Sequence, residues 1–172
     1  MDVENDTIIE LACILTNGEL EEIEAGPEIA IHHPDSILDH MNAWCMEHHT
    51  ASGLVDRCKA SSTTLEQAEQ EVLDFVARHA QPGQALFAGN SVHVDVSFIR
   101  RRMPRLYDYM HYRIVDVSTV KELARRWFPR ETARAPRKTL SHTALSDIKE
   151  SIEELQFLRK AVFKEPGQRQ RR

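Results

Sequence analysis

Two carboxylates and one imidazole are placed where they could do chemistry. Asp95 follows Gly89-Asn90-Ser91, a turn that closes the short apolar stretch 85–88. It would stand just past the C-terminal end of a strand, where open α/β sheets hold their ligands. His142 and Asp147 are five residues apart at the start of the last helical segment. A helix N-terminus favours an anion nearby, so this end suits a charged site. Hard oxygen ligands bind Mg²⁺ or Mn²⁺. Two such ions could stabilise the attacking and leaving oxygens of an in-line phosphodiester hydrolysis, with His142 taking the proton of the attacking water. The same spacing also fits two ordinary first-turn acids and an exposed loop histidine. Spacing alone leaves both readings open.

The elements that must position these groups can be read in order. Residues 7–16 are β-branched and apolar and end at Asn17-Gly18, a hairpin signal. Return strands are expected over 20–24 and 28–32, broken at Gly26-Pro27. An irregular, partly helical region follows, with Trp44, His48 and His49. Thr63-x-x-Glu66 reads as a capping box opening a helix whose stripe is Leu65, Ala68, Val72, Phe75 and Val76. Then come a strand at 85–88, a helix carrying Asp95, a strand at 113–117 and a helix at 118–127. A basic loop at 129–141 leads to a last helix over 143–163. This order predicts an α/β domain with a mixed sheet. The boundaries expected are a domain over 1–165 and a basic tail over 166–172.

Composition narrows the class. A chain of 172 residues, 41% hydrophobic and 28% charged, is that of one globular domain. No apolar run approaches the roughly 18 residues of a membrane span, so no membrane partner is expected. The acidic start, Met1 to Asp6, reads as neither a signal nor a transit peptide. Cys13, Cys45 and Cys58 lack paired spacing, which suits a reducing compartment. The set Cys45, His48, His49 and Cys58 matches no standard zinc spacing. The net charge of −5 conceals an asymmetry: residues 1–99 hold 3 basic and 18 acidic residues, residues 100–172 hold 19 and 9. A basic half suggests an anionic partner such as a nucleic-acid backbone, or merely solvated helix faces.

Several motifs together resemble oligoribonuclease, the small DEDD-type 3′→5′ exonuclease with a histidine general base. They are Asn90-Ser91-x3-Asp95, His111-Tyr112-Arg113-x2-Asp116-Val117-Ser118-Thr119-x-Lys121-Glu122-Leu123, Ala124 to Trp127, and His142-x4-Asp147. Ile8-Ile9-Glu10, Glu24 to Pro27, Trp44 and His49 to Leu54 agree with it upstream. The resemblance implies a ribonuclease-H-like exonuclease fold, a homodimer, two Mg²⁺ or Mn²⁺ ions, and hydrolysis of very short single-stranded RNA. It implies Asp95 and Asp147 as metal-binding acids and His142 as general base. Trp44, His49 and Ser91 would hold bases and the 5′ phosphate, and Tyr112 would be the tyrosine given to the partner's site. Aromatic stacking on unpaired bases suits such a substrate.

The sequence departs from the family at two places. Ser146 stands where the family has a second aspartate beside the catalytic one. The family also opens with a strand carrying Asp-x-Glu, and Met1-Asp2 aligns just beyond it. The first two metal-binding acids and the central strand bearing them are therefore expected to be missing, and the 172-residue chain is expected to have little activity. The alternative is a non-catalytic nucleotide-binding or dimerisation module. The cytoplasm is the expected compartment, with the mitochondrion open because a targeting segment would precede Met1.

Overall fold

The computed structural model describes residues 2–135 and 143–163. The chain begins with an antiparallel hairpin, β1 (Glu10–Thr16) and β2 (Glu22–Ala30), followed by three short helices, α1 (Asp35–Leu38), α2 (Ala43–Ala51) and α3 (Leu54–Ala60). The long helix α4 (Leu65–His79) leads to β3 (Phe87–Gly89), α5 (Val92–Arg102) and α6 (Pro104–Tyr109). Then come β4 (Ile114–Asp116), α7 (Val117–Trp127), α8 (Pro129–Thr132) and α9 (Ala144–Val162).

The hairpin turn is held by Asn17, whose side chain accepts from the amides of Glu19 and Glu21. The return arm differs from expectation: β2 runs without a break through Gly26-Pro27. Gly26 permits this because a Cβ there would lie 2.5 Å from Cys13 Sγ and 2.8 Å from Phe75. The capping box at α4 is one residue later than expected. Thr64 accepts from the Gln67 amide and Gln67 reciprocates. The helices α6 and α8 were not anticipated. Both open on a proline at the first turn, where its missing N–H costs nothing.

Three apolar clusters hold these pieces. Ile29 and Ile31 pack with Val72, Phe75 and Val76 of α4 and with Met103 and Leu106. Leu38, Leu54 and Cys58 join α1 to α3. Val117, Ala124 and Leu158 join α7 to α9.

The expected mixed sheet takes the form of two separate strand pairs. The hairpin is antiparallel, β3 and β4 are parallel, and among the described residues no strand bonds one pair to the other. A groove of about 1820 Å³ is lined by both pairs and by α9. It touches every residue from Asn5 to Gly18 and from Gln84 to Asn90. Successive strand side chains point to opposite faces. A cavity that meets all of them runs along the strand edges, not over one face. No residue of β1 is fully buried although five of its seven are apolar. Helix α9 crosses this space, packing on α7 and reaching the hairpin turn through Gln156 to the Leu20 carbonyl (2.8 Å) and Arg159 to the Glu19 carbonyl (3.0 Å).

Candidate active site

Asp95 and Asp147 face the same groove. Asp95 lies in the first turn of α5 and Asp147 in the first turn of α9. Each helix start is shaped locally. Ser91, at φ +53°, turns the chain from β3 into α5. Thr143 caps α9 by accepting from the Ser146 amide. Asp95 keeps open surface, yet the protein crowding its carboxylate desolvates it and raises its pKa, with nearby Asp116 adding repulsion. The raised value means that the folded protein retains a proton the unfolded chain has released. Asp95 therefore costs stability as pH rises through its folded value, and a cation would relieve that cost.

His49 lines the groove as well, and burial lowers its pKa, favouring the neutral ring. Glu10 is a groove residue that sequence reasoning did not single out. It pairs with Arg57 and accepts from the Ala144 amide at the start of α9 (3.3 Å). Its carboxylate thereby ties β1 to the helix that carries Asp147. Nothing in the local sequence signals this, because the partners are 47 and 134 residues away.

Trp44, Ser91 and Tyr112 stand outside the groove lining. Trp44 is 61% exposed on α2 and stacks on His48 with ring centres 4.0 Å apart. Tyr112 is 77% exposed, stacked on His111 with the Arg113 guanidinium over its ring. His142 lies outside the described residues.

A polar cluster organises the turn before Asp95, and its members, which the sequence offered only as separate residues, meet in the fold. Asp116 caps α7 through the Ser118 amide (3.0 Å), accepts from the Ser91 amide (3.0 Å) and pairs with His93 (3.0 Å). Burial by itself would raise the Asp116 pKa, but these hydrogen bonds outweigh it and lower the value. The stability Asp116 supplies is thus complete above its ordinary 3.8 and is lost as pH falls through the lowered value. Urea midpoints measured against pH should show this acid limb in the native protein and lack it in Asp116→Asn.

Exonucleases generally use divalent metal ions, and Asp95 and Asp147 are the right kind of donor. Their number is short. Among the described residues no group of three or more His, Cys, Asp or Glu converges to hold a metal.

The exonuclease family model (RNase T) matches residues 1–155. Against the mitochondrial oligoribonuclease of Homo sapiens the chain is 52% identical over 164 residues, which are 95% of this chain and 69% of that protein. Against the Bos taurus mitochondrial oligoribonuclease the identity is 50% over all 172 residues, or 73% of that protein. The oligoribonuclease of Vibrio cholerae is 50% identical over 164 residues, covering 95% of this chain and 90% of its own. The chain belongs to the oligoribonuclease family.

By family the protein is a 3′→5′ exoribonuclease, a hydrolase of RNA degradation. Membership changes how the basic half is read. Many of its cations serve the fold: Arg105 pairs with Glu69, Lys121 with Glu154, and Arg125 and Arg126 with Glu122. Arg100 and Arg113 lie over tyrosine rings. Charge asymmetry was therefore a weak pointer to RNA. Among the described residues no helix is long and apolar enough to cross a membrane.

Proposed function

We propose that the protein acts on very short RNA, from dinucleotides to about pentamers, releasing nucleoside monophosphates by two-metal-ion hydrolysis with Mg²⁺ or Mn²⁺. The observation that carries this reading is that Asp95 and Asp147 line one groove in a member of the oligoribonuclease family. In this reading the two acids bind metal and His142 removes the proton of the attacking water. Ser91 and His49 hold phosphate, and Trp44 stacks on a base. A homodimer, in which Tyr112 serves the partner's site, accounts for a tyrosine so exposed. We place the protein in the cytoplasm or, as for its mammalian relatives by name, in mitochondria; its three free cysteines fit either.

We further propose that a strand carrying two more acids belongs between β1 and β3, one that the described residues do not supply, and that activity is impaired without it. The separated sheets and the edge-lined groove support this. The decisive measurement is mononucleotide release from a dinucleotide with Mn²⁺, in the native protein and in Asp95→Asn. Turnover that Asp95→Asn leaves intact would sink the assignment of the acids.

The rival reading, a nucleotide-binding or dimerisation module without catalysis, is favoured by the shortage of metal ligands. It predicts dinucleotide binding in EDTA with no metal-dependent turnover. Under either reading Trp44→Ala should weaken dinucleotide binding about 10- to 100-fold, the loss of one stacking contact of ~1–3 kcal/mol. Calorimetry reads this directly, and unchanged affinity would remove Trp44 from the pocket.

A further inference from the structure

We propose that Asn90 is a positioning residue: its side-chain amide fixes α9, and so Asp147, relative to the turn that presents Asp95. The inference rests on the reading that these two acids act together. Asn90 joins three segments that sequence keeps far apart. Its Oδ1 accepts from Ser118 Oγ on α7 (3.1 Å), and its Nδ2 donates to Ser151 Oγ on α9 (2.9 Å). Ser151 Oγ in turn donates to the carbonyl of Asp147 itself (2.7 Å). Ser118 Oγ also accepts from the Ser91 amide (3.0 Å), one residue beyond Asn90. The chain of bonds thus runs from the start of α7, through the α5 turn, to the backbone of the metal-binding acid.

The polarity of this chain requires a group at position 90 that accepts at one end and donates at the other. The proton of Ser151 is committed to the Asp147 carbonyl, so Ser151 can only accept from its other neighbour. The proton of Ser118 is committed to Asn90, leaving its lone pairs for Ser91. Residue 90 must therefore accept at one end and donate at the other. A carboxylate accepts at both ends; an aliphatic side chain does neither. Ser151 is 9% exposed, so little water reaches its oxygen to replace the Asn90 donor. Asn90 and Ser151 both line the groove. The apolar contacts to α7 come from the later part of α9, at Leu155 and Leu158. They hold the later turns of α9 against α7, and the placement of its first turns falls to Asn90 at Ser151 together with the Glu10 carboxylate at the Ala144 amide.

Amide hydrogen exchange on the whole chain tests the clamp without requiring activity. In Asn90→Asp, which keeps the acceptor for Ser118 and loses the donor to Ser151, exchange over 144–151 should quicken about tenfold, the effect of one buried hydrogen bond. The amides of α4 and of the hairpin should not change. Ser151→Ala should reproduce this pattern and Ser151→Thr, which retains the hydroxyl, should restore native exchange. Unchanged exchange over 144–151, or an equal rise everywhere, overturns the clamp. A Mn²⁺ titration of native protein, Asp95→Asn and Ser151→Ala reads the consequence. Weaker binding in Ser151→Ala, recovered in Ser151→Thr, supports positioning of the acid. Binding indifferent to Asp95 overturns the metal reading while the exchange result still decides the clamp.

Discussion

With Mn²⁺ present, the 172-residue protein is expected to release mononucleotides from a dinucleotide on the order of 10²–10³-fold more slowly than a family member with all four acids. The magnitude follows from what a bound cation does. One ion acting as a Lewis acid at a phosphoryl group is worth several kcal/mol of transition-state stabilisation, and each ~1.4 kcal/mol is a factor of ten in rate. Asp95 and Asp147 provide two carboxylates at the groove, and the described residues bring no third ligand to them. Two carboxylates leave much of the charge of two divalent ions uncompensated, so ion occupancy falls along with rate. Raising Mn²⁺ should recover part of the activity, which distinguishes poor metal binding from a misfolded site. A rate within tenfold of a complete relative, at equal metal, would show that the acid set is not deficient.

The second large effect concerns the fold. Glu69→Ala should destabilise the protein by about 2–4 kcal/mol, seen as a fall in Tm of roughly 5–12 °C for a chain of this size. The Glu69 side chain is 6% exposed and accepts from the Arg105 amide (2.7 Å), the Leu106 amide (3.2 Å) and Arg105 Nε (3.0 Å). It acts as an N-terminal cap supplied from another helix. Helix α6 has no side-chain cap of its own, so truncation strands two backbone donors at its first turn beside the buried Leu106. Arg105 is half exposed, and water would take over most of its share. Glu69→Gln, which keeps one acceptor, should cost about half as much. A Tm change below about 2 °C for Glu69→Ala would show that water caps α6 equally well.

The residues differ in how plainly they announce their roles. Helix α4 is legible because its stripe and cap are local: Val72, Phe75 and Val76 recur at helical spacing, and the Thr64 and Gln67 signals lie three residues apart. The strand–turn–helix around Asp95 and the last helix around Asp147 are legible for the same reason, since Gly89-Asn90-Ser91 and Thr143 act on their neighbours. Glu69, Glu10 and Asn90 carry no local signal of their distant partners. Each is an ordinary polar residue in its own segment, and its work is done by partners 36, 134 and 61 residues away.

The sequence by itself determined the family and most of the helical and extended segments, and it nominated the acids Asp95 and Asp147, because motif spacing and hydrophobic period are properties of neighbours along the chain. Only the tertiary structure decided that the two acids share one groove, that Asn90 and Glu10 reach the helix bearing Asp147, and that the strands form two pairs with open edges between them. Strand pairing and side-chain clamps depend on which edges and faces meet in space, and a strand edge carries the same backbone groups whether or not a neighbour is present to bond them.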